Sequence, residues 1–281
     1  MRKAEIGEFL YRFYRKRTWS FLANIYKASI TADSKDIHRA RLDVKKIFAL
    51  YDLFELLDPH GFRKLAGHKL FRHLYRQAGK IREIQVNQLL MSGGGFEKFS
   101  CDQFSEWIRA EEHRAVKKFV RAVKKFSESD LDKTDKDIRK ICHSNTMSKM
   151  RSKTEAFIRN QAKKLDELQD SDQSEGKTHQ LRKHLKSIST ITTLVYSLKP
   201  SKLLDLIITS LNKTEMMIGE WHDRVVLKGA IERFVKSDIK KSREESEALE
   251  NLKASLEAEA QKFVVHFMPE VRKIAGELRV I

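Results

Sequence analysis

Apolar residues recur along this chain at intervals of three and four, the period that places side chains on one face of a helix. Near the N-terminus Ile6, Phe9, Leu10 and Phe13 share such a face, while Arg12, Arg15 and Lys16 fall largely elsewhere on the cylinder. A second helix is expected to start at Ser34 or Asp36, either of which can cap it, and to end before Asp58-Pro59. Its buried stripe is Ala40, Val44, Ile47, Tyr51, Phe54 and Leu57. A third pattern runs from about Phe62 to Met91 and is stopped by Ser92-Gly93-Gly94-Gly95, and a basic helix follows over Asp102 to Phe126. After the polar turn Ser127 to Asp130, one long helical segment is expected as far as Asp170-Ser171-Asp172, and another from Ser174 to just before Pro200. A further helix runs from there through Trp221, and a last one from Ser237 to Glu277, which Pro269 should kink or break. The β-branched run from Ile188 to Val195 would suit a strand in isolation. It is read as helix because of what it repeats.

Breakers are scarce: 11 Gly and 3 Pro in 281 residues, less than half of average usage, which argues against a many-stranded β protein. With 41% apolar residues, 16 of them Phe, the chain can build a core, so the expected class is all-α and wholesale disorder is excluded. Charge changes the picture of the surface. Lys and Arg number 56 against 39 Asp and Glu, a formal net charge of +17 that attracts polyanions into any cleft it lines. Cys101 and Cys142 are too few for a disulfide framework and are expected as buried thiols in a reducing compartment. The opening residues, Met1 to Glu5, run into mixed charge without an apolar segment, and the uncharged stretch Ser187 to Leu198 is too short to cross a bilayer. A cytoplasmic protein without a membrane span is expected.

The most informative feature is an internal repeat. A shift of 141 residues places His38 on His179, Arg41 on Arg182 and Lys45 on Lys186, and carries Ala40, Val44, Ile47, Phe54 and Leu57 onto Leu181, Leu185, Ile188, Val195 and Leu198. One residue out of step, Ala78-Gly79-Lys80-Ile81-Arg82-Glu83 falls beside Ile218-Gly219-Glu220-Trp221-His222-Asp223. Because the shift is about half the chain, the simplest account is a duplicated unit of four helices, over 1–130 and 131–281, paired about a pseudo-twofold axis. In His-x-x-Arg-x-x-x-Lys the three side chains fall within a sector of about 60° and span roughly 10 Å of helix. The stripe offers a titratable donor, a guanidinium fork suited to phosphate oxygens and a compact ammonium. Two such stripes facing each other would line a groove for a long, negative ligand. The plain alternative is a solvated charged face copied along with its unit.

The segments Ile37-His38-Arg39-Ala40-Arg41-Leu42-Asp43-Val44-Lys45-Lys46 and Thr178-His179-Gln180-Leu181-Arg182-Lys183-His184-Leu185-Lys186 resemble the two signature helices of the CHAD domain (conserved histidine α-helical domain) family. Gly79 to Glu83 and Gly219 to Asp223 are similar to the Gly-x-x-Arg-Asp and Gly-x-x-His-Asp stretches that follow each signature. The resemblance implies two four-helix bundles related by pseudo-twofold symmetry, with a basic central channel that binds inorganic polyphosphate. Carried over by position, His38, Arg41, Lys45 and Lys46 would line one wall, and His179, Arg182, Lys183 and Lys186 the other. Where that family often extends its cationic stripe by a turn, this chain has Phe48 and Ser189, and Glu83 stands for the family's Asp. A shorter track is implied.

A second basic block runs from His113 to Lys125, in which Arg114, Lys117 and Arg121 share a face that could extend the channel or simply be solvated. From Lys240 to Glu259, by contrast, acidic residues outnumber basic ones, so the positive charge is unevenly placed. Gly93-Gly94-Gly95 lacks the Lys and Ser or Thr of a phosphate-cradling loop. The pairs His68/His73 and His179/His184 are five apart and diverge on a helix, so neither metal nor cofactor is expected. The leading expectation is a non-catalytic polyphosphate binder, associated with polyphosphate granules where these form. The alternatives are a nucleic-acid-binding helical protein, or a phosphohydrolase using His222-Asp223. If His38 and His179 touch phosphate as imidazolium, binding should strengthen as pH drops through about 6.5, the ordinary His value.

Overall fold

The computed structural model describes residues 3–62, 64–93, 95–99, 101–145, 147–169 and 174–279. These form α1 (Lys3–Thr31), α2 (Ser34–Leu57), α3 (Lys64–Gly93), α4 (Asp102–Lys124), α5 (Glu128–Ser144), α6 (Met147–Gln169), α7 (Glu175–Leu198), α8 (Lys202–Val235) and α9 (Arg243–Leu278), with no strand among the described residues. The all-α expectation holds, and Ile188 to Val195 is helical. The Ile6 side chain, Gly94 of the glycine loop and the Asp170-Ser171-Asp172 helix end lie outside the described residues.

Each helix forms where its apolar stripe finds a partner. In α2 the whole expected stripe is buried, from Ala40 through Val44 and Ile47 to Leu57. Its cap is Asp33 rather than Ser34 or Asp36: the Asp33 carboxylate accepts from the backbone N–H of Lys35 and Asp36 at 2.8 and 3.1 Å, a negative charge at the positive end of the helix dipole. The Ser34 hydroxyl is thereby free for another use, described below.

Three further boundaries differ from expectation. The long segment after the Ser127 turn is two helices, α5 and α6, broken at Asn145, which turns extended while its side-chain amide donates to the Ile141 carbonyl at 2.8 Å. The last helix begins at Arg243, capped by Ser242, because α8 continues past Trp221 to Val235. Pro269 neither ends nor breaks α9. The helix donor it removes would have served the carbonyl of Val265, an exposed residue that water can reach.

Helices α1 to α4 pack in a closed ring, each on the next and α4 back on α1, and α6 to α9 do the same. The position 130/131 falls inside the first turn of α5, which packs on α1, α2 and α3 as a fifth helix of the first group. Between the rings α2 lies against α7 and α3 against α8. A second, smaller core joins Val86, Phe104 and Ile108 of α3 and α4 to Leu227, Phe234 and Leu252 of α8 and α9. There the buried Glu245 of α9 accepts from the backbone N–H of Phe104 at 2.9 Å and so caps α4, whose own Cys101 supplies no side-chain cap. Cys101 and Cys142 are free and buried, as expected. Among the described residues no helix is long and apolar enough to cross a membrane.

Candidate functional site

The cation stripes take their positions from the apolar ones. Arg41 and Lys45 each follow a buried residue, Ala40 and Val44, by one position, which sets them about 100° round the helix at the edge of the packed face. Arg182 and Lys186 stand in the same relation to Leu181 and Leu185. Packing α2 on α7 therefore brings all four to one cavity of about 390 Å³. Helix α3 adds Arg82 and Glu83 to its lining, and α8 adds Glu215, Gly219, Glu220, His222 and Asp223.

The two arginines of the repeat are held differently. Arg41 lies over the Tyr75 ring, 4.5 Å from its centroid, and donates to the Tyr75 carbonyl at 3.0 Å. A Cβ at position 79 would collide with its guanidinium, so Gly79 is what lets Arg41 lie flat against α3. Gly219, at the corresponding place on α8, meets nothing there and opens into the cavity. Arg182 has a buried Nε without a hydrogen-bond partner. Burial lowers its affinity for its proton, and the nearby Asp223 carboxylate works the other way. Arg82 donates to the Ser34 hydroxyl at 2.8 Å, the hydroxyl that Asp33 spared from capping.

Repulsion is the electrostatic signature of the site. Burial, followed by the charges of Lys186, Arg182 and Arg41, pushes the Lys45 ammonium well below its ordinary range, with Glu215 opposing. The Lys186 ammonium finds Glu215 at 3.3 Å. Burial raises the Asp223 carboxyl, which faces Arg182 and Arg82 and neither ends a helix nor bonds His222. Trp221 beside it is a core residue, 4% exposed.

The imidazoles respond to the same field. His38, an exposed residue of the cavity lining, is pushed to about 4 by partial burial and then by Arg82, Lys45, Lys186 and Arg41. His222 is pushed to about 3 by burial and then by Arg182, His179, Lys45 and Arg41. The His179 ring is 5.8 Å from that of His222 and is also lowered, by burial and then by Lys183, Arg182 and Lys45. In the free protein burial and the neighbouring cations thus favour the neutral rings, and where binding strengthens on acidification is set by the values the rings take in the complex. An anion in the cavity cancels the field and raises their pKa values, so affinity should climb from the bound-state value downward and level off near 4, by up to about tenfold per pH unit for each proton taken up. Without ligand the same depression destabilises the fold, because below 6.5 the unfolded chain takes up protons that the native rings refuse. Dissociation constants and melting temperatures measured from pH 7.5 to 4.5 check both, and a free protein whose melting temperature is flat over that range contradicts them.

Of the residues expected in the site, His38, Arg41, Lys45, Arg182 and Lys186 line the cavity. His179 reaches it through His222, while Lys183 is exposed beside His179 and outside the lining. Lys46 turns toward α1, half-buried near Arg17 and Asp43. Arg114, Lys117 and Arg121 are exposed on α4 and do not line the cavity, and Arg114 is paired with Glu111. Reasoning from sequence marked the glycine motifs without giving Arg82, His222 or Asp223 a place at the ligand. It missed Glu215 altogether. Among the described residues no three His, Cys, Asp or Glu side chains gather as a metal site.

The sequence model of the CHAD domain matches residues 16–232. No curated protein matches the chain. Among solved structures, the fold is similar to the crystal structure of the CHAD domain from the plant Ricinus communis, with a TM-score of 0.72 at 14% identity over 98% of this chain and 92% of that one. A likeness at that identity carries the fold alone.

Proposed function

The chain belongs to the CHAD domain family, and from that premise we propose that its central cavity binds inorganic polyphosphate without catalysing a reaction on it. The reading takes the two rings of helices as units related by a pseudo-twofold axis, each lending one cationic stripe. The observation that carries it is the convergence of Arg41, Lys45, Arg82, Arg182 and Lys186 on one cavity, where burial and then the neighbouring cations disfavour the charged form of Lys45. Such a cluster is costly while empty and is relieved by an anion that touches several of its members at once. A phosphate chain is flexible enough to enter and carries a charge at every unit, and guanidinium forks with ammonium groups match its oxygens. Binding releases counterions from the chain, as it does from nucleic acids, so affinity should fall steeply with added salt. The reading carries with it a cytoplasmic location and association with polyphosphate granules.

Titration with polyphosphates of defined length, beside DNA and RNA at fixed ionic strength, tests it. A dissociation constant for polyphosphate no lower than that for nucleic acid of equal charge counts against it. Phosphate release with and without divalent cations checks the non-catalytic part, and turnover lost in His222→Ala would replace it with a phosphohydrolase.

One observation favours nucleic acid as a second reading: Lys117, Lys118, Arg121, Lys124 and Lys125 are all exposed on the outer side of α4 and its end. A convex basic face can track a rigid backbone without enclosing it. DNA binding that survives substitution of the cavity arginines would assign it to α4.

A further inference from the structure

The two walls of the cavity differ at one register. Gly79 and Gly219 stand 140 positions apart, and the same offset sets Tyr75 of α3 on Glu215 of α8. On the first wall the ring and carbonyl of Tyr75 receive the Arg41 guanidinium. On the second a carboxylate takes the place of the ring. Its Oε2 lies 3.3 Å from the Lys186 ammonium. Its charge also acts on Lys45, Lys46 and Arg182, and it shares the cavity lining with Lys45, Arg182 and Lys186. Its other oxygen, Oε1, is buried without a hydrogen-bond partner. The first wall packs with no carboxylate at this register, so helix packing does not require one. A carboxylate with one buried, unpartnered oxygen thus stands among four cations, Lys45, Lys46, Arg182 and Lys186.

We infer that Glu215 is a built-in competing anion, which neutralises the cation cluster in the free protein and must be displaced from Lys186 by the incoming ligand. The inference rests on the polyphosphate reading of the same cavity. It makes Glu215 a residue that sets specificity as well as affinity. A lone phosphate that enters merely exchanges one anion for another at Lys186. A chain long enough to reach Arg41 and Arg82 on the other wall gains cations that Glu215 does not serve, and binds despite the exchange. The carboxylate thereby favours long chains over single phosphates, while holding mutually repelling cations together when the cavity is empty.

The test is Glu215→Gln, which keeps the shape and removes the charge, titrated beside the wild type with a polyphosphate of defined length and with inorganic phosphate, at several salt concentrations. The variant should bind polyphosphate about tenfold more tightly, the worth of one charge-assisted contact no longer contested. It should also gain measurable affinity for inorganic phosphate, and its binding should fall more steeply with salt, since about one more cation is left for the ligand. Without ligand it should melt lower than the wild type, with a larger rise on adding polyphosphate. Binding no tighter than wild type, with an unchanged salt slope, overturns the inference while leaving the polyphosphate reading standing. A wild type that binds no polyphosphate overturns both. If Glu215→Gln does not fold, Glu215→Asp, whose shorter arm draws the carboxylate back from Lys186, should show the same changes at smaller size, and its failure to tighten binding would count equally against the idea.

Discussion

Arg41→Ala combined with Arg182→Ala should weaken polyphosphate binding by about 3–6 kcal/mol, since charge-assisted contacts of this kind contribute roughly 1.5–3 kcal/mol each. In a titration that is a loss of about 10² to 10⁴-fold. The two contribute by different routes. Arg41 is fixed in advance by the Tyr75 ring and carbonyl and by the bare backbone of Gly79, so its fork meets the ligand without losing rotamer freedom. Arg182 has a buried Nε with no partner, and its charge is among those that depress Lys45. Removing it deletes an unsatisfied donor and a repulsion together. The free double variant should keep its helicity and melt close to the wild type, the lost Arg41 contacts to Tyr75 and the lost Arg182–Asp223 attraction offsetting the relieved repulsion. Circular dichroism and thermal melting beside the titration settle the matter. A melting temperature that falls in step with the affinity would make these arginines part of the framework, and an affinity within threefold of wild type would remove them from the ligand.

How much of this was legible in the sequence depends on whether a residue's place is set by its own helix or by a neighbour. The stripe Ala40, Val44, Ile47 and its copy Leu181, Leu185, Ile188 follow from helical period alone, and Arg41, Lys45, Arg182 and Lys186 follow from them by one step round the helix. Lys46 and Lys183 share the motif but not the cavity, because Arg17 and Asp43 frame Lys46 from α1 and from its own helix, and Lys183 projects beyond the groove. Phe48, from which a shorter track was expected, packs its ring on His68 at 4.1 Å and meets Phe71 and Tyr75, binding α2 to α3. The pH expectation for His38 and His179 took the ordinary His value, which assumes water, whereas partial burial and then the neighbouring cations lower both. The break at Asn145 carries neither Gly nor Pro, and its local signal, the turn-forming run Ser144-Asn145-Thr146, is short and was passed over. Glu215 left no trace because one acidic residue in a helix is unremarkable until the opposite helix is known.

Phe71→Ala should cost about 3–5 kcal/mol of stability, the usual toll for emptying a buried aromatic site. Phe71 is 0% exposed and lies in ring contact with Phe21 of α1 at 5.1 Å, Phe48 and Tyr51 of α2 at 6.4 Å each, and Phe126 just beyond α4 at 6.0 Å. These rings are themselves pinned, Phe48 by His68 and Tyr51 by Tyr14 and Phe62, so the space left behind cannot close easily. At roughly 2–4 °C per kcal/mol for a chain of this order, the melting temperature should fall by on the order of 10 °C. Phe71 does not line the cavity, so polyphosphate should bind the folded fraction with close to wild-type affinity. If polyphosphate binds the native cavity, any affinity for the unfolded chain is the same for both proteins, so saturating polyphosphate should raise the variant's melting temperature by about as much as it raises the wild type's. A loss below about 1 kcal/mol would show that the site collapses after all. A stability loss accompanied by a smaller ligand-induced rise would mean that the aromatic cluster sets the angle of α2 against α7, and with it the width of the groove.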